Sequence, residues 1–298
     1  MTEIQNEIRT EPQEKKKIRP GYIFLSLVPF SIMMALQTAA MLPGFILTII
    51  EVSKTGAEND FSVLVSHFNE KYGLISYTAY GLACLAVYLP WYYKSFVKKE
   101  PKVIYKKALG IKAVGLCAAL MPCFYFVVTA SLTKAYDFFP NAMATYEKLV
   151  ESTSLGMNIQ ITIVYFLILA PVVEELCFRG LMLRMLERSN IHYMLAIFIQ
   201  AALFGIMHAN AVQGSYAFFM GMLLGFLRYK YKTVILTTAV HMLFNILGSV
   251  IALWLQAMGM TKEMQMWAGI AGAVVAAGLL VLIILDKNTY LEEQKVTS

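Results

Sequence analysis

The sequence is short of charge. Only 15% of its 298 residues are Asp, Glu, Lys or Arg, against 58% hydrophobic residues, and its mean hydropathy is +0.61. Soluble domains carry about 25% charged and about 45–50% apolar residues, so a large water-soluble domain is excluded and an integral membrane protein is expected. Cysteine is scarce too. Cys84, Cys117, Cys123 and Cys177 all lie in apolar stretches with no C-x-x-C pair, which argues against a disulfide framework or zinc ribbon and leaves them as small packing residues. No 20–50-residue repeat and no low-complexity tract interrupts the chain, so a single domain is the simplest count. The net charge of +6 does not mark a nucleic-acid surface, because the basic residues flank apolar runs instead of sharing one globular face.

What the sequence does have is hydrophobic length. A hydrocarbon core about 30 Å thick takes about 20 helical residues. Apolar runs at about 22–50, 73–93, 113–133, 157–178, 192–208, 214–227, 233–255 and 267–285 therefore predict an all-α fold, a polytopic transmembrane helical bundle of about eight spans. The first run is too long for the core of a cleavable signal peptide, so it is read as a span, bent near Pro29 and Pro43. Residues 1–21 are polar and read as a disordered cytoplasmic tail. The rest divides into N-terminal transmembrane helices (22–150), a core that holds the unusual polar residues (151–255), and a last helix with its cytoplasmic tail (256–298).

Lys and Arg accumulate on the cytoplasmic side of a membrane. With the N-terminus inside, nineteen of the 25 fall there, in the tail, between 94 and 112, at Arg184 and Arg188, at Arg228, Lys230 and Lys232, and near the C-terminus. Only Lys54, Lys71, Lys134, Lys148 and Lys262 fall outside, so both termini are expected in the cytoplasm. The Lys94–Lys107 cluster reads as a topology signal beside anionic lipid. The basic tail, with no organelle address, suggests a multi-pass protein of a bacterial plasma membrane.

Ionisable groups inside spans are the informative ones, since each costs about 2.5–3.5 kcal/mol at mid-bilayer. The fourth run reads Glu174-Glu175-Leu176-Cys177-Phe178-Arg179, the fifth ends Phe204-Gly205-Ile206-Met207-His208, and the seventh holds His241-Met242-Leu243-Phe244-Asn245. Glu175 and Arg179 stand four apart with the acid first, the favourable order for an intrahelical ion pair. That leaves Glu174, about 100° round the helix, as a carboxylate without a fixed cation, suited to general base work. His241 and Asn245 share a helical face, and Phe204 and His208 repeat the spacing. Counted from a turn near Asn190, Glu174 and His208 stand at one level on antiparallel neighbours. Cys177 lies inside the motif but lacks a base beside it on the same face, so it is read as packing. Gly221-x-x-x-Gly225 reads as a close helix contact, and His67 and His192 as ordinary loop residues.

Glu-Glu-x-x-x-Arg, Phe-x-x-x-His and His-x-x-x-Asn, in this order on successive spans, resemble the three motifs of the CPBP family, the CAAX protease and bacteriocin-processing proteins also called Abi, to which the Ras-converting CAAX endopeptidase belongs. The resemblance covers about 157–250 and implies an intramembrane endopeptidase acting on a hydrophobic or membrane-tethered peptide within the lipid bilayer. It assigns activation of the attacking water to Glu174 and His208, and the oxyanion or a metal to His241 and Asn245. Glu174, His208 and His241 supply enough donors for a divalent metal such as zinc with an open fourth position, and a metal-free route through the same residues is chemically sufficient as well. Other readings of the same residues are a non-proteolytic scaffold or self-immunity protein and a proton-coupled transporter, the latter disfavoured by the lack of inverted repeats.

Overall fold

The computed structural model describes residues 17–54, 56, 60–99, 109–155 and 161–286. Among them every regular element is helical: α1 (Pro20–Ser53), α2 (Phe61–Phe68), α3 (Leu74–Ser95), α4 (Ile111–Phe138), α5 (Pro140–Leu155), α6 (Ala170–Glu175), α7 (Leu183–Arg188), α8 (Tyr193–Met207), α9 (Ala211–Tyr231), α10 (Val234–Ile246), α11 (Ala252–Ala257) and α12 (Lys262–Leu285). Asn69–Gly73, Ile161–Leu169, Leu176–Met182 and Leu247–Ile251 wind more widely, as π-helix. The protein is a helical bundle. Five stretches are long and apolar enough to cross a bilayer: Pro20–Ser53, Phe61–Lys99, Ile111–Phe138, Val234–Leu255 and Lys262–Leu285.

The other three expected spans are helical too, but of a different kind. The stretch from Ile161 to Arg188 is broken by π-turns and carries Glu174, Glu175 and Arg179, and α8 has only 15 residues. The helix expected over 214–227 runs instead from Ala211 to Tyr231. Its extra turns follow from its ends: the Asn210 side chain accepts from the Val212 and Gln213 amides at 3.0 Å each, and Lys232 stops it in the left-handed region at φ 57°. The polar Asn210–Ser215 stretch is thus largely a helix start.

Two loops expected outside the membrane also hold helices. Asp60 caps α2 by accepting from the Ser62 amide at 2.9 Å, which turns the His67 region helical. There Glu51 at the end of α1 gathers His67 (2.8 Å), Lys71 (2.5 Å) and Tyr72 (2.9 Å), so His67 belongs to a tie between α1 and α2–α3. Residues 134–156, read as a loop, contain α5, whose Tyr146 hydroxyl meets that of Tyr216 on α9 at 3.2 Å.

At the other end of the bundle the chain before α1 is docked: the Arg19 amide donates to the Ser189 carbonyl (2.8 Å) and the Asn190 side chain to the Lys17 carbonyl (2.9 Å). Residues 1–16 of the expected tail lie outside the described residues. Pro20 then starts α1, where its missing N–H costs nothing. At about 1.5 Å per residue α1 is longer than a bilayer core is thick, so it tilts or projects. The buried Tyr88 hydroxyl pins α3 to it through the Pro29 carbonyl at 2.7 Å.

The apolar core has two parts. One packs α1 and α3 around Val173, Leu176, Cys177, Phe178, Leu181 and Met182, and reaches α8 through Ala196, Ile197 and Phe204. The other joins α4, α10 and α12 around Cys117, Leu120, Met121, Val240 and Ile283. Helix α9 contributes to both, with Ala217 in the first and Met220, Leu224, Leu227 and Tyr231 in the second. Arg179 of the fourth run and Gln200 of the fifth both reach a backbone carbonyl of this shared helix, at Gly221.

Candidate active site

The Ile161–Glu175 stretch presents its carboxylates through a change of winding. Ile161–Leu169 is π-helical, Pro171 sits in the first turn of α6, and Leu176–Met182 returns to wide turns, a feature that recurs at functional sites. Glu174 and Glu175 are the last residues of α6 and face different neighbours. Glu175 is fully buried, whereas the Glu174 side chain keeps 18% of its surface open.

The ion pair read from spacing is present: Arg179 Nη1 donates to Glu175 Oε1 at 2.8 Å, both side chains fully enclosed. Two further contacts fix the guanidinium. Nη2 donates to the Gly221 carbonyl at 3.3 Å, and the group lies over the Phe204 ring, 4.5 Å from its centroid. Gly221 is reachable because a Cβ there would stand 2.9 Å from Ala201 Cα, so only glycine lets α9 approach α8 this closely. Gly225, one turn on, meets Gln200 Nε2 and Ile197 in the same way, which makes Gly221-x-x-x-Gly225 the close helix contact its spacing suggests.

The same Gly221 carbonyl accepts from Gln200 Nε2 at 2.8 Å. Gln200 is fully buried and was not among the residues singled out by motif. Its signal is periodic: Gln200, Phe204 and His208 recur every four residues, and Gln200 is a lone amide in an otherwise apolar helix. Phe204 is the other contributor beyond the six candidates. Its ring makes edge contacts with Phe178 (5.2 Å), His208 (5.1 Å) and His241 (5.8 Å), so it spaces the two imidazoles.

His241 reaches the pair from α10. Its Nδ1 is 3.1 Å from Glu175 Oε1, and a carboxylate only accepts, so Nδ1 carries the proton. Its Nε2 then faces Glu174 Oε2 at 3.7 Å. That separation exceeds a direct hydrogen bond and leaves both atoms as acceptors for a water bound beside them. His208 follows the same logic: Nδ1 is 2.8 Å from the Phe204 carbonyl and must donate, which leaves the lone pair on Nε2. His208 lies within electrostatic range of Glu174.

Asn245 has the most specific local reason. Its Nδ2 donates to the Phe166 carbonyl at 2.9 Å. In the i→i+5 pairing of Ile161–Leu169 the donor for that carbonyl is Pro171, which has no N–H, and Asn245 supplies the missing donor. One Asn245 N–H is therefore committed to holding α10 against the strand of helix that carries Glu174, and its other N–H and its oxygen remain for other partners.

The structure thus brings Glu174, Glu175, Arg179 and His241 into one cluster, sets His208 beside it across Phe204, and ties Asn245 into its scaffold. Cys177 is fully buried in the apolar core. His192 caps α8, its Nδ1 accepting from the Met194 amide at 3.3 Å. A metal fits poorly. Among the described residues no three His, Cys, Asp or Glu side chains converge as ligands.

A bundle of apolar helices that encloses a Glu-Arg-His-His cluster has the form of a membrane-embedded hydrolytic centre. The comparison with known families agrees: residues 157–247 match the Rce1-like family model, described as type II CAAX prenyl endopeptidase Rce1-like. That match covers less than a third of the chain and contains all six motif positions. It bears out the resemblance read from the motifs and supports a multi-pass membrane protein of protease type. No curated protein and no solved structure matches the chain.

Proposed function

We propose that the protein is an intramembrane endopeptidase in which Glu174 is the general base. The observation that carries this is the division of labour between adjacent carboxylates: Glu175 is fully buried and spent on Arg179 and His241, while Glu174 is partly open, lacks a hydrogen-bonded cation, and faces His241 Nε2 across 3.7 Å. A water bound beside both atoms is polarised by each.

The substrate is a hydrophobic or membrane-tethered peptide reaching the cluster from the bilayer. The water oxygen attacks the scissile carbonyl carbon, and its proton passes to Glu174, with His208 Nε2 as the second acceptor beside it. The oxyanion that forms is met by the free N–H of Asn245, and the second proton of the attacking water passes to His241 Nε2, where Glu175 stabilises the imidazolium. As the C–N bond breaks, the proton returns from Glu174 to the departing amine, leaving a new carboxylate and a new amino terminus. The eight-span path with both termini in the cytoplasm, at a bacterial plasma membrane, completes this reading.

The test is digestion of an unbiased peptide library, read by mass spectrometry, with wild type, Glu174→Gln and His208→Ala in proteoliposomes, each with and without chelator. The proposal expects cleavage by wild type in both chelator conditions and none by either variant. Cleavage that survives in Glu174→Gln overturns the assignment of the base. Cleavage lost only with chelator overturns the metal-free route. Equal inactivity of all three, with a phenotype that persists in Glu174→Gln cells, favours the scaffold.

A further inference from the structure

The most unusual side chain outside the site is Arg228. It lies on α9, seven residues or about 10 Å along the helix from Gly221, towards the end where α7, α8 and α9 meet. It is fully buried, and none of its three nitrogens, Nε, Nη1 or Nη2, has a hydrogen-bond partner. Among the described residues no carboxylate pairs with it and no aromatic ring lies under it. A buried guanidinium in this condition is costly, several kcal/mol for an uncompensated ion, unless an anion is supplied.

The surroundings say what kind of anion. Lys232 stands one turn beyond, with only 15% of its side chain exposed, and its ammonium is held below its usual range by burial, with Arg228 pushing the same way and Glu187 opposing. Glu187 is the acid at the rim, and it is loosely engaged: 3.7 Å from Lys232 Nζ and 4.0 Å from Arg184 Nε, with Oε1 making no hydrogen bond. Tyr229 stacks on Tyr193 at 4.2 Å beside them, and Lys232 sits over the Tyr229 ring. On the adjoining turns of α8, Met194, Leu195 and Phe198 are 44–50% exposed, an apolar strip that faces acyl chains when the bundle is in a bilayer. Two cations, an aromatic pair and an exposed apolar strip thus stand together among the basic residues read as the cytoplasmic end, the combination that suits headgroup depth.

We propose that Arg228 and Lys232 bind a phosphate oxyanion, supplied by the headgroup of an anionic phospholipid. The guanidinium fork matches two phosphate oxygens, and Lys232 adds a point charge on a third. The phosphate enters at the rim by displacing the Glu187 side chain from Lys232, and the acyl chains lie along Met194, Leu195 and Phe198. The site is separate from the Glu174 cluster, so this inference stands whether or not the protein is a protease.

The test uses the full-length protein purified in a neutral detergent, with thermal unfolding and native mass spectrometry as readouts. Phosphatidylglycerol, phosphatidylcholine and inorganic phosphate are added in separate arms to wild type, Arg228→Met, Arg228→Lys and Lys232→Gln. Wild type binds phosphatidylglycerol and melts higher with it, while phosphatidylcholine has no such effect. Arg228→Met binds phosphatidylglycerol at least about tenfold more weakly, the loss expected for one charge-assisted fork, and without lipid melts no lower than wild type because an uncompensated charge has gone. Arg228→Lys keeps the charge without the fork and shows an intermediate response, which guards against a Met variant that fails to fold. Inorganic phosphate reproducing the full shift supports the oxyanion site and overturns the lipid source. An Arg228→Met protein that responds to phosphatidylglycerol as wild type does, or a shift produced by a peptide carboxylate in place of any phosphate, overturns the proposal.

Discussion

Separating Glu175 from Arg179 is the perturbation with the largest calculable effect. Both side chains are fully enclosed, 2.8 Å apart, so bulk solvent does not reach them to take over the pairing. Removing one partner of a buried pair leaves the other charge uncompensated and costs about 3–5 kcal/mol, whereas removing both leaves no charge and costs far less. Glu175→Gln and Arg179→Met should each be destabilised by that amount. At about 2–4 °C per kcal/mol for a chain of comparable size, each single variant should melt about 6–20 °C below wild type. The double variant should recover most of that loss. The assay is thermal unfolding in detergent for the four members of the cycle. Losses that add to within about 0.5 kcal/mol would show the two groups to be uncoupled and would refute the clamp.

Three other outcomes follow from the packing. Gly221→Ala places a methyl 2.9 Å from Ala201 Cα, where apolar atoms need about 3.5–4.0 Å, so α9 must retreat and withdraw the carbonyl shared by Arg179 and Gln200; peptide cleavage should fall at least about tenfold with helix content retained, measured by initial rates and circular dichroism. Asn245→Leu strands the Phe166 carbonyl without a donor and should cost about 1–3 kcal/mol in thermal unfolding, with amide exchange rising along the Ile161–Leu169 stretch. Asp60 is held below the usual aspartate range by the Ser62 hydroxyl and amide. A depressed carboxyl stabilises above its unfolded value and loses that contribution as pH falls through the lower folded one. Amide protection at the start of α2 should therefore be full above pH 3.8 and decline below it, and Asp60→Ala should abolish the dependence.

How far the sequence carries depends on what each feature is made of. Spans such as 113–133 and 267–285 were legible because a bilayer demands a minimum apolar length, and they lie inside α4 and α12. The six motif residues were legible because a spacing of four puts side chains on one face and because ionisable groups are rare in apolar runs. Their partners were not. The Phe166 and Gly221 carbonyls belong to the backbone, and no side-chain pattern says which carbonyl a neighbouring helix will reach. Pro171 was a clue, since a proline five residues after a π-helical residue orphans one acceptor, but nothing in the pattern announces the π-winding. Helices α2 and α5 were hidden because they are short and mixed in polarity, so hydropathy reads them as loops. Gln200 was visible as a lone amide four residues before Phe204, and only the fold says that it meets Arg179 at one carbonyl.

The central claim is that Glu174, and not its buried neighbour, takes the proton. It is tested most directly by measuring kcat/KM of purified Glu174→Gln against wild type on a cleaved peptide, alongside the melting temperature of each. The account predicts a loss of about 10²- to 10⁴-fold, the contribution of a positioned general base, with a melting temperature close to that of wild type because Glu174 is partly open and holds no buried pair. A variant that cleaves at the wild-type rate, or one that loses activity only because it unfolds, would contradict it.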